Sequence, residues 1–536
     1  MEQVIVDYLK HLDIPISETY CKKIILSHPD YPSLLSVSDS LEQLGISCQI
    51  GKIEEEHLSK IEFPFLIHLD TAKDGLVLIK EQNDLSKDHI DLKEWKGIVL
   101  KAESVEELKD NNHNQQYKKE RRVRNAALVL AISIFAAFTI LTLVSFSWIN
   151  LMLLTTSILG ASIGYILIAK DLGITYKPVE SFCNTSTRVN CDKVLRSEGA
   201  KIVSFFSLSE AVISYFAFQL IITGLLFPIL SSPASYFWVL ATGSVLSIPI
   251  IFYSVYYQAA KAKTWCRLCM LVNAVLAVQA GVLGFLYIDG VFSIPEIEVT
   301  PFFFSLFLFS AIVALVLLIK VKLESMSEAV NAEIAATRVK NAPEVFAHLL
   351  YQGKKIDNSI REQDIIIGDP HAPINLLMVA NLNCYPCKTG LEEVLKLIDQ
   401  YPEKISIAFK FLMSGNKVHD MPASSFLINY WDQYLSGTQD ESSKTRKLIK
   451  DWYEYMSTEA FEKIYTELPD KNERVVASHY EWIAKYKIVR TPTFFVNGYE
   501  LPSQYRISDL SSLLTGMIPI FDKEIKAQNK PKELVE

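Results

Sequence analysis

Lys261-Ala262-Lys263-Thr264-Trp265-Cys266-Arg267-Leu268-Cys269 is the stretch on which the fold turns. A basic run ends at a tryptophan, two cysteines follow three apart, and residues 270–288 then carry no charge. That uncharged run is about long enough to cross a bilayer as a helix. Cysteines at i and i+3 share one helical face, close enough to close a disulfide, and a helix N-terminus stabilises a thiolate. The segment predicts a dithiol at a membrane surface, heading a transmembrane helix, with Trp265 as an interfacial anchor.

The rest of the chain agrees with a multi-domain membrane protein. Of 536 residues, 50% are hydrophobic, and the mean hydropathy is positive. A net charge of -8 without a concentrated basic domain argues against a nucleic-acid partner. Six of the eight cysteines form spaced pairs, 183/191, 266/269 and 384/387, whereas Cys21 and Cys48 lie apart and read as core thiols. Charged residues interrupt residues 1–20 at Glu2, Asp7, Lys10 and Asp13, so no secretory signal is expected there.

Taken in order, residues 1–100 read as a small α/β domain, with helical patterns at 4–12 and 34–44 and strand-like runs at 63–69 and 75–79. Residues 101–124 form a linker, acid-rich and then basic from Lys118 to Arg124. Residues 125–169 are uncharged, too long for one span and right for a hairpin turning at 145–150. The first half, 125–148, is an extra span, and 149–290 hold a four-helix core. Its polar loop, 171–201, carries Cys183 and Cys191, and its middle spans lie in 211–260 with a turn at 228–233. After an acidic turn at 289–298, a linking span at 299–322 makes six crossings, so parity puts every cysteine on one side. A connector, 323–360, leads to an α/β domain at 361–520 and a tail at 521–536.

In that last domain a buried-strand pattern at 374–380 precedes Cys384-Tyr385-Pro386-Cys387, which opens an amphipathic helix. A second strand at 405–411, a helical insertion at 416–487, and the strand and turn of Arg490-Thr491-Pro492-Thr493-Phe494-Phe495-Val496-Asn497-Gly498 complete the order. Cys384 opens a helix, where the dipole favours thiolate, and disulfide exchange needs both a good leaving thiolate and access. Zinc held by the two C-x-x-C pairs is the competing reading; no histidine lies at ligand spacing, so no metal is expected.

Three stretches carry resemblances. With its lead-in Gly368-Asp369-Pro370-His371-Ala372-Pro373, the C-terminal domain resembles the bacterial disulfide-oxidoreductase branch of the thioredoxin superfamily. The resemblance implies a thioredoxin fold with Cys384 as the exposed exchanging sulfur, Cys387 as its resolving partner and Pro492 as a cis-proline beside them. The helical core resembles the vitamin K epoxide reductase family of bacterial type. It does so through Cys183 and Cys191 with seven residues between, Ser197 six beyond, and Cys266 and Cys269 opening the last core helix. By that resemblance Cys183 meets the thioredoxin-like partner, Cys191 exchanges with Cys266, Cys269 reacts with a quinone of ubiquinone or menaquinone type, and Ser197 orients the loop. Asn273 stands where animal members carry a tyrosine, which bears on epoxide chemistry and on the quinone's polar contacts. Glu210, the one charge between 202 and 260, either lines the quinone pocket or is a helix-end carboxylate, and Asn273 and Gln279 carry the same two readings.

The third resemblance is carried by His28-Pro29-Asp30-Tyr31-Pro32-Ser33-Leu34-Leu35-Ser36-Val37-Ser38-Asp39, running on to Leu44-Gly45-Ile46. It is to the cysteine peptidases that trim leader peptides during bacteriocin export, and it implies a papain-like small domain. Gly75-Leu76-Val77-Leu78 replaces the family's catalytic histidine, and Cys21 falls too close to the matching segment to be the nucleophile. Proteolysis is therefore not expected, since a thiol needs a base.

Two function classes follow. The first is a membrane thiol:quinone oxidoreductase, passing electrons from client dithiols through Cys384/Cys387, Cys183/Cys191 and Cys266/Cys269 to the membrane quinone pool and so driving disulfide formation. The second is an export accessory whose N-terminal domain binds leader peptides. Both place the chain as a multi-pass protein of a bacterial inner membrane. The positive-inside rule would set the cysteine face, rich in Lys and Arg, in the cytoplasm. Thiol oxidation and the resembled family favour the periplasm, which is the side adopted here.

Overall fold

The computed structural model describes residues 1–69, 75–86, 95–105, 108, 110–144, 148–174, 177–183, 188–203, 206–226, 234–288, 299–357, 364–413 and 416–528. The expected turns at 228–233 and 289–298, part of the turn at 145–150 and the end of the tail lie outside them. The chain forms two compact units, Met1–Arg121 with Ala332–Glu536, and Arg122–Asn331.

The first unit opens with α1 (Glu2–His11), α2 (Glu18–Leu26) and α3 (Leu34–Gln43). Ser33 sets the start of α3, its hydroxyl accepting from the Ser36 N–H at 3.1 Å while Ser36 Oγ accepts from the Ser33 N–H at 3.3 Å. The helices cover an antiparallel sheet of β1 (Cys48–Lys52), β2 (Phe65–Leu69), β3 (Leu76–Ile79) and β4 (Trp95–Ala102), in the order β1-β4-β2-β3. Cys21 is buried in this core, and burial pushes its thiol up to about 12, the opposite of what an attacking sulfur requires. Cys48 is partly exposed beside Ser38 Oγ, 3.5 Å away.

The second unit is helical. Helix α4 (Asn111–Val144) enters it, beginning well before the expected linker ends because nothing between Asn111 and Arg124 breaks a helix. There follow α5 (Trp148–Asp171), α6 (Lys177–Cys183), α7 (Cys191–Leu195), a short β5 (Lys201–Val203) and β6 (Phe206–Ser207), α8 (Leu208–Ile221), α9 (Ala234–Tyr256), α10 (Arg267–Ile288) and α11 (Val299–Lys340). Among the described residues five helices are long and apolar enough to cross a membrane, namely Trp148–Asp171, Leu208–Leu226, Trp238–Ala262, Arg267–Phe285 and Thr300–Lys340. The expected sixth lies on α4, whose residues 125–144 are uncharged.

Small residues decide how the bundle closes. Gly160 and Gly164 on α5 lie against α8, where a Cβ on Gly160 would stand 2.4 Å from the Phe216 ring and one on Gly164 3.1 Å from the Ile213 backbone. Side-chain hydrogen bonds add to this packing: Ser157 Oγ meets Gln219 Oε1 at 2.9 Å, and Gln279 Nε2 donates to Gln219 Oε1 at 3.0 Å and to Thr156 at 2.8 Å. Gln279 is thus an interhelical tie.

The chain returns to the first unit through the polar end of α11 and α12 (Pro343–Tyr351). The C-terminal domain contains β7 (Ile365–Gly368), β8 (Ile374–Ala380), α13 (Tyr385–Gln400), β9 (Ile405–Phe411), β10 (Lys417–Val418), β11 (Met421–Pro422), α14 (Ala423–Tyr430), α15 (Glu441–Tyr455), α16 (Thr458–Ile464), α17 (Glu473–Lys485), β12 (Thr493–Val496), β13 (Tyr499–Glu500) and α18 (Leu514–Gln528). Its five strands run β13-β12-β8-β9-β7, with β8 and β9 parallel and the remaining neighbours antiparallel. This is a thioredoxin fold carrying a helical insertion.

The N-terminal and C-terminal domains touch within this unit. Gln400 Nε2 donates to Gln43 O at 2.8 Å, Lys404 pairs with Glu42 at 2.7 Å, and Arg338 donates twice to Leu26 O, at 2.6 and 3.0 Å, while lying over the Tyr31 ring.

Candidate active site

The C-x-x-C of the second unit is positioned by backbone pairing. Trp265 N–H donates to Arg188 O at 2.8 Å and Asn190 N–H to Trp265 O at 3.1 Å, a parallel bridge that lays the segment before Cys191 beside the segment before Cys266. Asn190 caps α7, its side chain accepting from the Lys193 N–H at 2.9 Å. Arg267 ties the head of α10 to the residue before Cys183, donating to Phe182 O at 2.9 Å with its guanidinium over the Phe182 ring.

These ties gather four sulfurs. Cys183, Cys191 and Cys266 are each 0% exposed and share one core with Ile163, Leu167, Phe216 and Val272, with Cys269 half-buried at its edge. Cys191 neighbours both Cys183 and Cys266 in this core, and Cys269 N–H donates to Cys266 Sγ at 3.2 Å. Cys266 N–H is itself held by Gln258 Oε1 at 2.8 Å. Burial first, and the Cys191 neighbour second, push the Cys183 thiol up to about 12. For Cys191 the bond to Cys266 comes first and burial second, and its thiol is also raised. All eight cysteines are free thiols here.

The other sequence-marked residues are placed as follows. Ser197 donates from Oγ to Val194 O at 2.5 Å, closing the end of α7 rather than reaching a sulfur. Glu210 caps α8 through the Ser207 N–H and pairs with Lys320, so its carboxylate is already engaged. Asn273, one turn beyond Cys269, donates from Nδ2 to Ser254 Oγ at 3.1 Å and to Met270 Sδ at 4.0 Å. An apolar cavity of about 790 Å³ opens among α8, α9, α10 and α11, lined by Phe216, Trp238, Leu276 and Phe309 among others. Cys269, Asn273 and Glu210 do not line it; Leu276 does, two turns along α10 from Cys269. Its size and apolar wall suit a hydrophobic ring or isoprenoid tail. Among the described residues no group of three or more His, Cys, Asp or Glu could hold a metal ion.

The second dithiol lies in the C-terminal domain. Cys384 is the N-cap of α13, and Cys387 N–H donates to its carbonyl at 3.0 Å. The Thr491–Pro492 peptide is cis, and β12, in register Thr493 with Val379, brings it to Cys384, whose Sγ donates to Thr491 O at 3.6 Å. Cys384 is partly exposed and Cys387 buried; burial, then Cys384, push the Cys387 thiol up to about 12. One sulfur is offered to solvent and its partner is kept back.

Sequence reasoning missed two polar neighbours. Tyr453, on α15 of the insertion, donates to Asn381 O at 3.1 Å and lies beside Cys387. Lys170, at the end of α5, lies beside the Cys183/Cys191 pair. Tyr453 sits in an insertion without a motif; Lys170, ending an uncharged span, carried a weak signal.

Residues 151–283 match the model of the vitamin K epoxide reductase family, and residues 361–515 match a thioredoxin model. Solved structures similar to the C-terminal part include a periplasmic thioredoxin-like protein from Salmonella enterica serovar Typhimurium, at 14% identity over 31% of this chain and 99% of that one, TM-score 0.26. Others are oxidised BdbD from Bacillus subtilis, at 16% identity over 32% and 98%, TM-score 0.23, and Chlamydia trachomatis DsbA, at 15% identity over 33% and 99%, TM-score 0.21. No curated protein matches the chain. A vitamin K epoxide reductase-type region of membrane-length helices joined to a thioredoxin-fold domain implies thiol-disulfide oxidoreductase activity in a multi-pass membrane protein.

Proposed function

We propose that the chain is a membrane thiol:quinone oxidoreductase that makes disulfides in client proteins. The observation that carries this reading is the unbroken series of sulfur neighbours Cys183, Cys191, Cys266 and Cys269 in one buried cluster. A dithiol client attacks Cys384 of the oxidised Cys384–Cys387 pair; a mixed disulfide forms and the electron pair leaves on Cys387. The client's second thiolate then displaces Cys384, and the client departs oxidised. Cys384 next attacks Cys183 of the Cys183–Cys191 disulfide, and Cys387 resolves the product. Cys191, now reduced, attacks Cys266 of the Cys266–Cys269 disulfide, leaving the pair on Cys269, and the Cys183 thiolate then attacks Cys191, which restores the Cys183–Cys191 disulfide and releases Cys266 as a thiolate. A quinone, when bound, supplies the final two-electron acceptor. Cys269 and Asn273 are the groups that would face it. Ser197 holds the loop end, and the thioredoxin-fold cis-Pro492 flanks the client's point of entry.

The proposal sets this face in the periplasm of a bacterial inner membrane. Purified full-length protein, given a reduced client dithiol and a short-chain ubiquinone or menaquinone analogue, is expected to form quinol. Cys269→Ala abolishes quinol formation and Cys21→Ala does not. Quinol formation retained in Cys269→Ala overturns the relay.

A further inference from the structure

Helix α5 is apolar until its last two residues, yet Lys170 is folded inward, its side chain 3% exposed. An ammonium so placed is costly unless something compensates it. It pairs with Asp192 Oδ1 at 2.9 Å, on the residue after Cys191, which is itself 39% exposed. Cys183 and Cys191 are both within electrostatic range of the ammonium. Leu167, one turn earlier, and Ile163, two turns earlier, pack in the same core as those sulfurs, so this face of α5 is the one that meets the cysteine loop.

We propose that Lys170 is the cation that stabilises the thiolates of the Cys183/Cys191 pair, acting by charge through a side chain anchored on Asp192. This rests on the relay reading above. When a donor thiolate attacks Cys183, a new S–S bond forms, the Cys183–Cys191 bond breaks, and the electron pair leaves on Cys191. When the donor's second thiol resolves the intermediate, Cys183 leaves as thiolate; the donor is oxidised and the loop pair reduced by two electrons. Both charges appear on sulfurs sealed from water, where a fixed ammonium replaces the missing hydration. Asp192 tempers that field, so the two members of the ion pair act on the sulfurs with opposite sign.

The test is single-turnover reduction of the oxidised loop pair in full-length protein by dithiothreitol, followed by alkylation and peptide mass spectrometry of Cys183 and Cys191. Lys170→Gln is expected to slow it about tenfold, the size of one opposite charge near a leaving thiolate. Lys170→Arg restores most of the rate. Asp192→Asn, which breaks the same ion pair but leaves the cation, is expected to speed the reaction. Equal slowing in Lys170→Gln and Asp192→Asn would show a structural staple and overturn the proposal, as would an unchanged rate in Lys170→Gln. If the native protein forms no Cys183–Cys191 disulfide on oxidation, the relay reading itself fails, and the experiment reports that separately.

Discussion

Tyr453→Phe removes one oxygen from the floor of the Cys384/Cys387 site. In the reduced protein the phenol donates to Asn381 O at 3.1 Å, so its oxygen is free to accept from the thiol of the neighbouring Cys387. Asn381 O keeps a second donor, the Cys384 N–H at 3.1 Å, so the change orphans no carbonyl. What is lost is the net worth of a buried hydrogen bond, about 1 kcal/mol. The bond to sulfur needs the S–H proton, which the disulfide lacks, so the loss falls on the reduced form. At two electrons that is about 20 mV toward a more reducing midpoint. The assay equilibrates full-length protein in graded glutathione buffers and reads Cys384 and Cys387 by differential alkylation and peptide mass spectrometry. No shift, or a shift to a more oxidising midpoint, would refute the reasoning.

Other expectations follow from the same coordinates. Cys387 and Cys21 have thiols raised to about 12 from an ordinary 9.0, so each favours the folded state fully below about pH 9 and loses that contribution as pH rises toward 12. The melting temperature of the reduced protein should fall across that window, and oxidising Cys384–Cys387 should remove Cys387's share. Arg267→Ala cuts the guanidinium bond to Phe182 O and its stacking on the ring, and should raise the alkylation rate of Cys183 in the folded protein; an unchanged rate would show that the tie does not hold the loop shut. Cys48 and Cys384, both partly exposed and in one unit, should react with an impermeant maleimide from the same side of intact cells. Labelling of the two from opposite sides would rule out an even number of crossings.

How much was legible in the sequence depends on the range of the interaction. The strands at 374–380 and 405–411 stand where the apolar runs put them, because a central strand buried on both faces leaves an uninterrupted signature. The edge strand β7 was not expected, being short and preceded by no turn signal. In the N-terminal domain, β1 and β4 pair across Cys48 with Ala102, a contact that local periodicity does not encode. Helices α4 and α11 run past the expected membrane limits because polarity ends a span and does not end a helix. The cysteine pairs were visible by spacing. Their order of contact came only from the family resemblance, since physically it depends on Trp265 pairing with residues 188–190, far away in sequence. Tyr453 was invisible and Lys170 only weakly marked for the same reason: each neighbours sulfurs brought to it by the fold.

The pattern of burial bears on how such a relay keeps its electrons. Cys384 and Cys269 are partly exposed, and the four sulfurs between them in the proposed order are buried. A soluble thiol such as glutathione therefore finds an attackable sulfur only at the two ends. Exchange among the inner sulfurs is then intramolecular, where effective concentration replaces diffusion and side reactions with solvent thiols are excluded. The same burial creates a difficulty at Cys183, which must meet Cys384 yet is covered in the reduced form. Its cover includes Arg267 on Phe182, one hydrogen bond and one stacked ring at an exposed position. Such contacts are worth little in water, a kcal/mol or so together. Opening Cys183 need not disturb the Cys191–Cys266 neighbours, which hang on the separate backbone bridge at Trp265. A weak latch on the sulfur that receives electrons and a backbone tie on the sulfur that passes them inward is the division a directional relay requires.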